Sequence, residues 1–156
     1  MSRIGRKIIN LPKGVELKIE KNRVTAKGAK GTLSQDIDPD MTVSLEDGVI
    51  TVTRPTEQKR HKSLHGLTRA LINNLVTGVS DGFTREIELV GVGYRVSNQG
   101  NLLEISVGYS HPIMFFLPSD IKVETVTEKS SNPKIILKGS DKQLIGQVCA
   151  KLRSFK

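Results

Sequence analysis

The chain has 156 residues, with 24 Lys and Arg against 16 Asp and Glu, a formal net charge of +8 and 37% hydrophobic residues. That length suits one ordinary domain or two small ones near the lower limit of independent stability, and long periodic apolar segments exclude an intrinsically disordered chain. The single cysteine, Cys149, excludes an internal disulfide framework and fits a reducing compartment.

In the first half, Val15-Glu-Leu-Lys-Ile19 alternates apolar and charged residues, the pattern of a half-buried strand. Val24-Thr-Ala26 and Thr32-Leu33 read as a hairpin around Gly28-Ala-Lys-Gly31. Met41–Leu45 and Val49–Thr53 flank Glu46-Asp-Gly48, and Asp-Gly is a strong hairpin-turn signal. A helix follows over roughly Glu57–Thr77. Leu64, Leu67, Leu71, Ile72 and Leu75 supply its expected apolar face, and Gly78 stands where a glycine would end it. Lys59, Lys62, Gly66, Arg69 and Asn73 form a separate polar and basic stripe.

The second half repeats the order. Ile87–Val90, Gly93–Val96, Leu102–Val107, Ile113–Leu117 and Lys134–Lys138 read as strands, with a turn at Asn98-Gln-Gly100. Ser140-Asp-Lys-Gln143 reads as a capping box before a helix whose Leu144, Ile145, Val148, Cys149 and Leu152 face a core. A shift of 80 residues lays Gly28 on Gly108, Leu64 on Leu144, Gly66 on Gly146 and Ala70 on Ala150. The expected fold is therefore α+β: two duplicated modules, 1–81 and 82–156, each an antiparallel sheet packed against one main helix.

Membrane, enzyme and metal readings find little support. No apolar run approaches the roughly 20 residues of a spanning helix. The basic N-terminus has too short an apolar stretch for a signal peptide, so the cytoplasm is the expected location. His61 and His65 are four apart, yet no third ligand lies at motif distance; a phosphate contact or an ordinary surface histidine is the better reading. Asp36, Asp38, Asp40 and Asp47 imitate a calcium loop but place Met41 where its glycine belongs. Gly28-Ala-Lys-Gly31 has the form of an RNA clamp that joins two helices, whereas strands flank it here. Cys149 lacks a polarising neighbour in sequence. Nothing points to an enzyme or a cofactor.

Charge carries more. A strongly basic chain favours polyanions, nucleic acid first and an anionic membrane surface second. Lys59-Arg-His-Lys62 opens the first helix, where cations oppose the helix dipole. An external anion would offset that cost, and a solvated charged run is the alternative. The second module gathers Tyr94, Arg95, Tyr109, Ser110, His111, Lys138 and Lys142 on or beside turns. Such aromatic, hydroxyl and basic groups suit RNA, through stacking and phosphate contacts. Net charge does not select a module: the first has 14 basic against 9 acidic residues and the second 10 against 7.

Thr53-Arg-Pro-Thr-Glu-Gln-Lys-Arg-His-Lys-Ser-Leu-His-Gly-Leu-Thr-Arg-Ala-Leu-Ile72 strongly resembles the bacterial large-subunit ribosomal protein six family. So do Glu88-Leu-Val-Gly-Val-Gly-Tyr-Arg95, Val107-Gly-Tyr-Ser-His-Pro112, Gly139-Ser-Asp-Lys-Gln143, Met1-Ser-Arg-Ile-Gly5 and Leu11-Pro-Lys-Gly-Val15. The resemblance implies a non-catalytic constituent of the 50S subunit, one copy per ribosome, bound to 23S rRNA. It implies a place near the sarcin–ricin loop and the stalk base, with neighbouring ribosomal proteins and translation factors close by. It also implies that the second module makes the principal rRNA contacts, through Tyr94, Arg95, Tyr109, Ser110, His111, Lys138 and Lys142. Arg3, Lys59, Arg60, His61 and Lys62 are secondary candidates. A free-standing RNA chaperone using the same loops is the alternative. Family members continue past the position of Lys156 with a basic tail containing Tyr-Lys-Gly-Lys-Gly; the sequence here ends at Ser154-Phe-Lys156.

Overall fold

A computed structural model describes residues 3–155; Met1 and Ser2 of the opening motif, and Lys156, lie outside the described residues. The chain divides into two units, the first ending at Asp81 and the second beginning at Gly82.

In the first unit a single helical turn, α1 (Arg3–Arg6), precedes six strands. These are β1 (Ile9–Asn10), β2 (Glu16–Glu20), β3 (Arg23–Gly28), β4 (Gly31–Asp36), β5 (Thr42–Glu46) and β6 (Val49–Thr53), and the long helix α2 (Lys59–Ser80) follows. The second unit has β7 (Phe83–Glu88), β8 (Arg95–Gln99), β9 (Leu102–Ser106), β10 (Ile113–Phe116), β11 (Ile121–Val126), β12 (Lys134–Gly139) and α3 (Lys142–Arg153). Each unit holds two three-stranded sheets: β2-β3-β4 and β1-β6-β5 in the first, β8-β9-β10 and β7-β12-β11 in the second. All pairings are antiparallel. The units therefore share one topology. The first strand of six pairs with the sixth, the sixth with the fifth, and strands two to four form a meander.

Alternation puts one face of each sheet into a core. Val24, Ala26, Ile50, Ile72 and Val79 are fully buried in the first unit; Leu103, Leu117, Ile135, Leu137 and Ile145 are buried in the second. Full burial of one such aliphatic side chain contributes roughly 1.5–3 kcal/mol. The β5–β6 turn has Asp47 at φ 49° and Gly48 at φ 75°, the two positive values a type I′ hairpin turn needs.

Several expectations change. β11 lies where no strand was expected, although Ile121 and Val123 alternate with Lys122 and Glu124. α1 and β1 were also unforeseen; both are too short for a periodic signal. α2 runs through Gly78 to Ser80, because burial of Val79 outweighs the roughly 1 kcal/mol propensity cost of a helical glycine. The positive-φ glycine past its end is Gly82. At the start of α3 the cap is Asp141, not Ser140: its carboxylate accepts from the backbone N–H of Gln143 at 3.0 Å and of Leu144 at 3.3 Å.

The buried face of α2 also differs from the Leu stripe. Leu67 is 54% exposed, whereas His65 and Thr68 are buried beside Ile72. Along the first half of the helix the core face is thus rotated by one residue, about 100°. The duplication accounts for this. A shift of 80 residues lays His65, Thr68 and Ile72 on Ile145, Val148 and Leu152, the three buried residues of α3. The repeated backbone keeps its packing register, and the first unit places polar side chains in it.

Candidate nucleic-acid interface

The Lys59–Lys62 cluster is largely neutralised within its own unit. Arg60 reaches Asp38 at 3.3 Å and Asp40 at 3.1 Å, and Lys62 reaches Glu57 at 3.5 Å. His61 is buried, bonding through Nε2 to Asp40 at 3.1 Å and through Nδ1 to the Thr56 hydroxyl. The His61 hydrogen bond, and then the Arg60 charge, hold the Asp40 carboxyl below its ordinary range. An external anion is not needed to offset cations at the start of α2. Lys59 is exposed and forms no ion pair among the described residues.

The surface-histidine reading gives way for both histidines. His65 is buried, its Nε2 2.6 Å from the Val52 carbonyl and its Nδ1 3.3 Å from Arg54 Nη1. Arg54 can only donate, so Nδ1 accepts and the Nε2 proton goes to Val52. Both ring nitrogens are occupied, which leaves none for a phosphate or a metal. Three of the four acidic residues of the calcium-like stretch are similarly committed, Asp36 to Arg23 at 2.9 Å and Asp38 and Asp40 to Arg60. Among the described residues no cluster of three or more His, Cys, Asp or Glu could hold a metal.

In the second unit the candidates fall at two ends of α3. At its start, Lys142 Nζ lies 5.7 Å from the centroid of the Phe83 ring. Lys138, near the end of β12, pairs with Glu124 at 3.7 Å and stands opposite Lys122 in the sheet. At the other end, the Tyr109 hydroxyl donates to the Phe155 carbonyl at 2.7 Å. Tyr94 and Phe155 line one cleft of about 310 Å³ there, with Leu152 and Arg153. Arg95 follows Tyr94 as the exposed first residue of β8. Ser110 and His111 are exposed on the β9–β10 connection. A helix of 12 residues separates the two groups by about 18 Å, so they form two surfaces rather than one pocket.

Lys138 and Lys142 are themselves exposed, Lys138 paired with the exposed Glu124 and Lys142 set over the half-buried Phe83 ring, and ion pairs and cation–π contacts at exposed sites are worth about 1 kcal/mol or less. A phosphate can displace them. Tyr94 is half-buried and packs on the core, its ring over Gly91; Tyr109 is 51% exposed. The sequence reading missed Lys151 and Arg153 in the last turn of α3. Their signal was present, since cations favour a helix C-terminus. Cys149 is half-buried, and burial pushes its thiol up from the ordinary value. That opposes a reactive thiolate. No helix among the described residues is long and apolar enough to cross a membrane.

Comparison with known proteins gives concordant matches. The family model described as Ribosomal protein L6 matches residues 11–82 and 90–156, one segment in each unit. The chain is 58% identical over 156 residues to the large ribosomal subunit protein uL6 of Parabacteroides distasonis. It is 57% identical over 157 residues to that of Cytophaga hutchinsonii, and 50% over 161 residues to that of Bacteroides thetaiotaomicron. Each alignment covers all of this chain and 85% of the relative. The chain belongs to the ribosomal protein L6 family.

Proposed function

We propose that this member of the ribosomal protein L6 family binds 23S rRNA near the sarcin–ricin loop and the stalk base. There it supports subunit assembly and the translation-factor site. Membership of the family makes it a structural, non-catalytic component of the large ribosomal subunit. Its surroundings are neighbouring large-subunit proteins at the stalk base, with translation factors nearby, one copy per ribosome, in the cytoplasm. The second unit is the principal rRNA-binding module.

The observation that carries this reading is the contrast between residues 60–62 at the start of α2 in the first unit and the cations of the second. In the first, Arg60, His61 and Lys62 are tied to Asp38, Asp40 and Glu57. In the second, Arg95, Lys138, Lys142 and His111 are exposed and hold weak partners or none among the described ion pairs. Cations of that kind contact phosphates and release counterions, while Tyr109 offers a ring to a base or sugar.

Footprinting of 23S rRNA with and without the protein tests the location: protection at the sarcin–ricin loop and stalk base is expected, and protection elsewhere defeats it. Lys138→Ala with Lys142→Ala reduces the salt slope of rRNA binding by about 1–2, at roughly 0.7–0.9 for each phosphate no longer neutralised. An unchanged slope removes these lysines from the interface. Retention on the large subunit through a high-salt wash separates this reading from a free-standing RNA chaperone.

A further inference from the structure

We propose that the first unit carries its own rRNA-backbone site, formed by Arg3, Arg6 and Lys7 of the N-terminal segment with Arg69 of α2. This rests on the rRNA-binding reading above and adds a second point of attachment to it.

Charge is the first observation. Residues 1–15 and 58–80 contain no Asp or Glu, so neither element that builds this surface supplies an internal counter-ion. No ion pair among the described residues uses Arg3, Arg6, Lys7 or Arg69. The Lys59–Lys62 cluster at the start of the same helix is the opposite case, because Asp38, Asp40 and Glu57 reach it from outside the helix.

Position is the second. The basic segment is fixed at three points. Gly5 lies so close to the buried His65 ring that a Cβ there would sit 2.6 Å from Nδ1. Arg69 Nε donates to the Lys7 carbonyl at 3.4 Å. Ile9 then pairs with Ile50 in β6. Gly5 is the single buried position of residues 3–8, so the cations on either side of it are turned outward on an anchored turn. Anchoring lowers the ordering cost that a loose basic arm would meet on binding.

Surface character is the third. Ile4, Ile8 and Leu67 are 54%, 55% and 54% exposed around these cations. Aliphatic groups interleaved with arginines suit the alternating sugars and phosphates of a nucleic-acid backbone, and the excess of unpaired positive charge favours that polyanion. The site grips the backbone and contributes affinity rather than sequence choice.

The test compares three full-length proteins in binding to 23S rRNA across a salt series: the parent chain, the combined Arg3→Gln, Arg6→Gln, Lys7→Gln variant, and the charge-keeping Arg3→Lys, Arg6→Lys variant. The triple variant is expected to bind with a salt slope shallower by about 2–3, while the lysine variant keeps the parent slope. A triple-variant slope equal to the parent's overturns the inference; should that variant nevertheless fail to enter the subunit, the surface serves an acidic protein neighbour instead. An iron chelate on Ile4→Cys, in a Cys149→Ser background, gives a readout independent of stability. Cleavage of 23S rRNA around the tether is expected, and absence of cleavage from a bound protein overturns the site. If the Lys138→Ala, Lys142→Ala variant alone changes the slope, the rRNA reading stands and this second attachment falls. If the parent chain shows no specific binding to 23S rRNA, both fall together.

Discussion

Gly28 approaches the Val79 carbonyl so closely that a Cβ at position 28 would lie 2.5 Å from the oxygen. The same carbonyl accepts from the Lys30 N–H at 2.9 Å. The β3–β4 turn is therefore docked on the last turn of α2, and it satisfies one of the carbonyls that a helix end leaves without an internal partner. The Gly-x-x-Gly form reflects this close backbone approach, not a nucleic-acid clamp.

Gly28→Ala is accordingly expected to destabilise the first unit by about 1–3 kcal/mol, because the obstacle is backbone that cannot rotate away. A shift of about 4–8 °C in Tm per kcal/mol applies to a unit of this size. Thermal unfolding followed by hydrogen exchange at α2 measures it. A shift within error would mean that the turn moves aside freely.

Asp141→Ala removes the side chain that caps α3 and should cost about 0.5–2 kcal/mol. Ser140→Ala, one residue earlier, should stay within about 0.5 kcal/mol. Denaturant midpoints of the two variants compare them directly, and equal losses would restore Ser140 as the cap.

Tyr109→Phe keeps the ring but loses the hydroxyl that bonds the Phe155 carbonyl. Loss of such a bond costs about 0.5–1.5 kcal/mol, with rRNA affinity held near the parent value. Tyr109→Ala should reduce affinity as well, since the ring is gone. Matching affinity losses in the two variants would assign the hydroxyl, not the ring, to RNA.

Acid should weaken the first unit through Asp40. Its folded pKa is lowered from 3.8, first by the His61 hydrogen bond and then by Arg60. A depressed carboxyl contributes stability that is present above the unfolded value and lost as pH falls through the folded one. Asp40→Asn should flatten the stability–pH curve in that window. A residual slope is expected from Glu57, held low by the Arg54 hydrogen bond. An unaltered acid limb in Asp40→Asn would remove Asp40 from the account.

Much of the fold could be read from periodicity and turn chemistry. Val24 and Ala26 alternate into the core, Asp47-Gly48 turns the hairpin, and Ile145, Val148 and Leu152 line one side of α3. The candidate site was legible as a list of cations and tyrosines but not as an arrangement. Lys142 lies over Phe83 at one end of α3, and Tyr109 binds Phe155 at the other. Spacing along the chain carries no information about that separation.

By itself the sequence determined the duplication, the basic character, the α+β pattern and the family, because each is written in short-range order or in long uninterrupted motifs. Tertiary structure alone decided which charges are spent. Asp38 and Asp40 reach Arg60 across 22 and 20 positions of chain, while Arg3, Arg6 and Lys7 meet no acid among the described ion pairs. Whether a cation is neutralised depends on distance through space, and a polar side chain such as His65 can occupy a core position only when the fold brings it partners.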